Sequence, residues 1–150
     1  MALKKITPND EINPSPYNDT DTVLGIDLID RDHSKIIDIL NSFETTKFTP
    51  EQYIQTIEVL EDYVVSHFMR EEEFMKLIGY PRYQSHLKQH RQFLEAFEGV
   101  WKTVSKPNSK DIQEFMAYIK DWWGNHIKVE DRRYAEWIRT QLNARHRSVD

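Results

Sequence analysis

Residues 49–78 read Thr-Pro-Glu-Gln-Tyr-Ile-Gln-Thr-Ile-Glu-Val-Leu-Glu-Asp-Tyr-Val-Val-Ser-His-Phe-Met-Arg-Glu-Glu-Glu-Phe-Met-Lys-Leu-Ile, and this stretch decides the fold class. Thr49 with Gln52 three residues on makes a capping box, and Pro50 occupies the first helical position, where its missing N–H is not needed. Tyr53, Ile57, Leu60, Val64, His67, Glu71, Phe74 and Ile78 then recur in alternating steps of four and three. That spacing marks one face of a long helix packed on others. Gly79 and Pro81 end it.

The same period extends in both directions. Downstream, Tyr83, His86, His90, Phe93, Phe97, Val100 and Val104 step by three and four until Lys106-Pro107. Upstream, Asp27 reads as the N-cap of a helix reaching Thr45, with Ile26, Ile29, His33, Ile36, Leu40 and Phe43 on its inward stripe. A last helix starts near Asn108 and carries Ile112, Phe115, Ile119, Trp122, His126 and Val129, continuing through Tyr134, Trp137 and Ile138. Short connections predict an all-α, antiparallel up-down-up-down four-helix bundle over residues 23–150. Residues 1–22 contain Pro14 and Pro16 and no periodicity, and read as an extended N-terminal arm.

Composition narrows the function. The net charge of −5 and the lack of a basic stripe make nucleic acid an unexpected partner. The chain has no cysteine, which excludes disulfides, iron–sulfur clusters and thiolate zinc sites. No stretch has signal-peptide or membrane-span character, so the expected location is the cytoplasm.

The polar residues on the apolar stripes carry the chemistry. Of six histidines, five (His33, His67, His86, His90, His126) face inward, and His146 falls in the tail. Glu71 joins them one turn after His67. A buried carboxylate without a partner is costly, so buried charges are normally paired or bind metal. Residues four apart stand above one another, so His67 with Glu71, and His86 with His90, each reach a common point. Side chains from facing helices at one level build metal centres in bundles. On the last helix, spacing alone favours Glu130, four residues after His126, because Asp131 lies about 140° round an ideal helix. Phe93, Phe97, Trp101, Trp122 and Tyr134 read as core, and Glu72 and Glu73 as a solvated face beside Arg70 and Lys76.

The pattern resembles the hemerythrins, most closely the single-domain bacteriohemerythrins. It consists of an isolated histidine, His33 in Gly25-Ile-Asp-Leu-Ile-Asp-Arg-Asp-His33, then His67-Phe-Met-Arg-Glu71, His86-Leu-Lys-Gln-His90 and His126-Ile-Lys-Val-Glu-Asp131. The match spans about residues 22–140, and the Glu-x-x-His pairs of ferritin-like di-iron proteins are absent. The resemblance replaces Glu130 with Asp131. It implies two iron ions with a hydroxo or oxo bridge. His86, His90 and His126 would bind one, His33 and His67 the other, and Glu71 and Asp131 both. The second iron then keeps one position open for dioxygen.

The implied function is reversible oxygen carriage or storage rather than enzymatic turnover. The alternatives are an oxygen or redox sensor acting through a separate protein partner, and a di-iron oxidase, peroxidase or nitric-oxide-handling enzyme. One departure stands out. Three residues before the last helix's histidine the family usually has an aliphatic residue, and here it is Trp123. Its indole either narrows the oxygen pocket or turns outward while Trp122 packs instead.

Overall fold

Helix α2 (Pro50–Leu77) forms as its sequence dictates. The Gln52 N–H donates to the Thr49 hydroxyl at 3.3 Å, and the Thr49 N–H donates to the Gln52 side chain at 2.9 Å. Both reciprocal bonds of the capping box are therefore present. At the other end Gly79 takes φ 68°, a left-handed conformation that glycine adopts without penalty. This turns the chain so that the Gly79 and Tyr80 N–H groups donate to the carbonyls of Lys76 and Met75, at 3.1 and 3.0 Å.

The computed structural model describes residues 22–103 and 109–147. Around α2 stand α1 (Asp27–Thr45), α3 (Tyr83–Thr103) and α4 (Ser109–Asn125). After α4 the chain makes a six-residue π-helical turn, His126–Asp131, and then α5 (Arg132–Arg147). The residues at both junctions keep right-handed helical dihedrals, so α4, the π turn and α5 form the fourth rod of an all-α four-helix bundle. Residues 1–21 of the expected arm, the Lys106-Pro107 stop and Asn108 lie outside the described residues. Among the described residues, no helix is long and apolar enough to cross a membrane.

The bundle buries two apolar clusters with a polar layer between them. The larger contains Ile36, Leu40, Leu60, Val64, Phe68, Phe93, Ile119 and Trp123. The smaller contains Leu24, Ile29, Met75, Tyr80, Tyr134 and Ala135. On every rod the chemistry-bearing residues fall between the two. His33 lies between Ile29 and Ile36, and the His67/Glu71 pair between Val64 and Met75. The His86/His90 pair precedes Phe93, and His126 and Asp131 sit between Trp123 and Tyr134. The site is thus sealed by apolar side chains above and below.

The start of α1 differs from expectation. Asp27 is the first helical residue, Ile26 holds the N-cap position, and no side chain caps there. Asp30 does the work instead, accepting from the N–H groups of Leu24 at 2.8 Å and Gly25 at 3.0 Å. Gly25 has φ 84°, which folds the preceding segment back over the first turn. Arg139 of α5 donates to the Leu24 carbonyl and lies so close that a Cβ on residue 25 would meet its Nη2 at 2.9 Å. Asp30→Ala should therefore lower stability by about 1–2 kcal/mol in urea unfolding, because two backbone N–H groups lose a charged acceptor. An unchanged urea midpoint would show that the turn holds without it.

Candidate metal centre

The π turn solves the problem that ideal helical spacing poses. The Arg132 N–H bonds to the Ile127 carbonyl, five residues back. In such a turn residues five apart come into line, whereas in an α-helix those four apart do. Asp131 therefore swings onto the face of His126, with its Oδ1 3.0 Å from the histidine Nε2. Glu130 is carried off that face and pairs with Arg133 at 3.0 Å. The choice of Glu130 from spacing is thus overturned. Val129, expected inward, is exposed for the same reason.

All seven residues expected at the centre converge, and all are buried: His33, His67, Glu71, His86, His90, His126 and Asp131. Their donor atoms form two overlapping groups, each compact enough to hold one ion. One comprises Glu71, His86, His90, His126 and Asp131; the other comprises His33, His67, Glu71 and Asp131. The two carboxylates belong to both. Asp131 divides its oxygens, with Oδ1 near His86 and His126 and Oδ2 3.0 Å from His33 Nε2. Glu71 turns Oε2 toward His90 at 3.0 Å, His86 at 3.5 Å and His67 at 3.6 Å.

The spacing of the donors fits a six-coordinate ion. The Nε2 of His126 lies 3.1 Å from the Nε2 of both His86 and His90. Two donors each about 2.1 Å from an ion stand about 3.0 Å apart at an octahedral right angle, and about 3.4 Å apart in a tetrahedron. Several of these atoms lie close together yet make no well-aligned hydrogen bond: His33 Nε2, His67 Nε2, Glu71 Oε2 and both oxygens of Asp131. Buried polar groups are nearly always satisfied, so a concentration of unsatisfied ones facing a common centre fits a metal site.

Electrostatics point the same way. Burial opposes protonation of His86, but hydrogen bonds and charge from Asp131 and Glu71 outweigh it and raise its pKa to about 10. The pKa values of His33 and His90 also rise despite burial, held up chiefly by Asp131 and by Glu71 with Glu72 respectively. Burial wins at His67, which is shifted toward its neutral form. Glu71 and Asp131 are pushed up by burial, yet the imidazoles around them hold both below the ordinary carboxylate range. Without metal, protons on His33, His86 and His90 supply positive charge beside the two buried carboxylates.

The surrounding residues fix which imidazole nitrogen faces inward. Asp32 Oδ2 lies 3.2 Å from His67 Nδ1, and Arg70 grips both Asp32 oxygens at 2.7 and 2.8 Å. Glu72 Oε1 lies 3.0 Å from His90 Nδ1. Tyr134 donates to Glu71 Oε1 at 2.5 Å, and burial together with the Glu71 and Asp131 charges keeps the phenol protonated. The reading of Glu72 as part of a solvated face beside Arg70 is therefore corrected, while Glu73 is exposed as expected. Glu72 and Arg70 reach inward, to His90 and to Asp32. Sequence reasoning missed Asp32 and the hydroxyl role of Tyr134. The available signal was adjacency, because each lies beside a site residue in sequence or three residues beyond one.

The sequence model of the hemerythrin HHE cation-binding domain matches residues 24–138. The chain belongs to the hemerythrin family. It is 30% identical over 125 residues to a bacteriohemerythrin of Stenotrophomonas maltophilia, covering 82% of this chain and 81% of that protein. A bacteriohemerythrin of Clostridium acetobutylicum is 32% identical over 120 residues, covering 75% and 93%. A hemerythrin-like protein of Naegleria gruberi is 30% identical over 122 residues, covering 81% and 92%.

As a hemerythrin, this chain should take up metal in competition with protons. Calorimetric titration with ferrous ion in two buffers of different ionisation enthalpy should reveal proton release, since His86 holds its proton up to about pH 10 without metal. Binding with no proton release would contradict the arrangement. Asp131→Asn should lower the bound metal severalfold, whereas Glu130→Gln should leave it at the unmodified level. The reverse result would return the role to Glu130.

Proposed function

We propose that this hemerythrin holds two iron ions and binds dioxygen reversibly, as a carrier or store. His86, His90 and His126 would hold one iron and His33 and His67 the other. Asp131 would reach each iron with a different oxygen, and Glu71 would reach both through Oε2. The observation that carries this reading is the inequality of the two donor groups, five side chains against four, sharing both carboxylates. The four-donor group would offer its ion fewer protein ligands than the five-donor group offers the other, so its ion would be the one with room for an outside ligand. When bound, the iron pair supplies that coordination position and two electrons to dioxygen.

The remaining work belongs to the protein. Asp32 and Glu72 hold His67 and His90 with Nε2 directed inward, as outer partners of metal-bound histidines do. Arg70 keeps Asp32 charged and in place. Phe68 stacks on His90 at 3.7 Å and Trp122 on His126 at 4.4 Å, so neither ring can swing away from the centre. Trp123 is the expected pocket residue. It packs inward at 1% exposure, with its ring 5.5 Å from His67 and 6.1 Å from His33. Trp122, half-buried, lies instead on the His126 and Phe93 side. The indole of Trp123 thus walls the four-donor side and limits entry of water and protons, which favours reversible binding over turnover.

The test is a visible spectrum of the anaerobically reduced, iron-loaded protein, recorded before oxygen, with oxygen and after its removal. A charge-transfer band that appears with oxygen and fades on its removal is expected. Immediate decay to a stable oxidised form would contradict carriage and favour an oxidase or a redox sensor.

A further inference from the structure

The Trp123 side chain has a second property besides bulk. Its indole Nε1 is buried and makes no hydrogen bond. Indole nitrogen is a donor only, so no other role satisfies it. A buried donor left unpaired is destabilising. Phenylalanine or leucine would fill this wall without that cost. Three other buried groups around the centre contrast with it, since the Tyr134 hydroxyl is paired with Glu71 and the Nδ1 atoms of His67 and His90 have carboxylate partners.

The ring that carries this donor borders the centre. Trp123 stands edge-on to both His33 and His67, with interplanar angles of 87° and 67°. These two histidines belong to the four-donor group and not to the five-donor group. The ring that carries the unpaired N–H therefore borders the half of the centre where, on the di-iron reading, an exogenous ligand enters. In an apolar, water-poor wall a hydrogen bond to an acceptor with negative charge is stronger than one between neutral groups.

We infer that Trp123 is a ligand-recognition residue, whose indole N–H donates to small anionic or electron-rich diatomic and triatomic ligands at the four-donor ion. The inference rests on the di-iron reading. Its consequence is selectivity: ligands whose outer atom accepts a hydrogen bond are held more tightly than a simple apolar wall would hold them.

The test uses the full chain loaded with iron and oxidised, with azide as probe. Azide affinity is read from a charge-transfer titration of the unmodified protein, Trp123→Phe and Trp123→Leu. Both variants should bind azide about tenfold more weakly, because each loses the donor and the first keeps an aromatic ring. Equal affinity in Trp123→Phe would overturn the proposal. Ultraviolet resonance Raman of the unmodified protein gives a second reading that needs no variant. The indole hydrogen-bond marker of one tryptophan should shift on azide addition and lose that shift when azide is removed. No shift would overturn the proposal even if the variants failed to fold. Iron content separates the two levels of the argument. Two irons per chain with azide bound, but no dependence on Trp123, refutes the donor role alone. Fewer than two irons, or no azide band, refutes the di-iron reading and this inference with it.

Discussion

Two carboxylates, Glu71 and Asp131, sit fully buried within a bundle whose neighbouring layers are apolar. Such a pair repels itself and is cut off from water, so it persists only where positive charge is supplied on the spot. Five imidazoles surround it, and the raised proton affinities of His33, His86 and His90 show how strongly the carboxylates demand that charge. A pair of metal ions meets the same demand without protons. The rest of the structure follows from this constraint. It explains why the polar residues form one layer and why aromatic rings stack against the histidines. It also explains why the outer carboxylates Asp32 and Glu72 sit on the far nitrogens of His67 and His90.

Much of this was legible in the sequence. The capping box at Thr49, the glycine stop at Gly79 and the helical period of α2 are local rules with few competitors, and the structure follows them, with Met75 rather than Phe74 the more deeply buried near the end of α2. Five inward histidines and Glu71 were equally visible, because polar residues on an apolar face break a pattern that is otherwise regular. Helix α4 with its extension was harder. Periodicity assumes an unbroken α-helix, and a π turn shifts the register by one residue. That shift exchanges Glu130 for Asp131 and turns Val129 outward. Spacing could not show it; family resemblance did.

The surrounding shell was not legible for a different reason. Asp32, Arg70 and Glu72 look like an ordinary charged surface, since long polar side chains on α1 and α2 usually point to water. Only three-dimensional packing shows Arg70 clamped on Asp32 and Glu72 reaching across to α3. A similar limit applied to the start of α1, where the capping carboxylate comes from Asp30, inside the helix, rather than from the residue before it. The two tryptophans were left open at the sequence level. Packing separates them, with Trp123 on the His33 and His67 side and Trp122 on the His126 side.

The central claim is that one layer of side chains holds two ions unequally, with Asp131 brought into place by the π turn. Diffraction from crystals of the iron-loaded protein, collected on both sides of the iron absorption edge, tests it most directly. Two anomalous peaks should appear in the polar layer, one ringed by Glu71, His86, His90, His126 and Asp131, the other by His33, His67, Glu71 and Asp131. A single peak, or a second one coordinated by Glu130 in place of Asp131, would contradict the account.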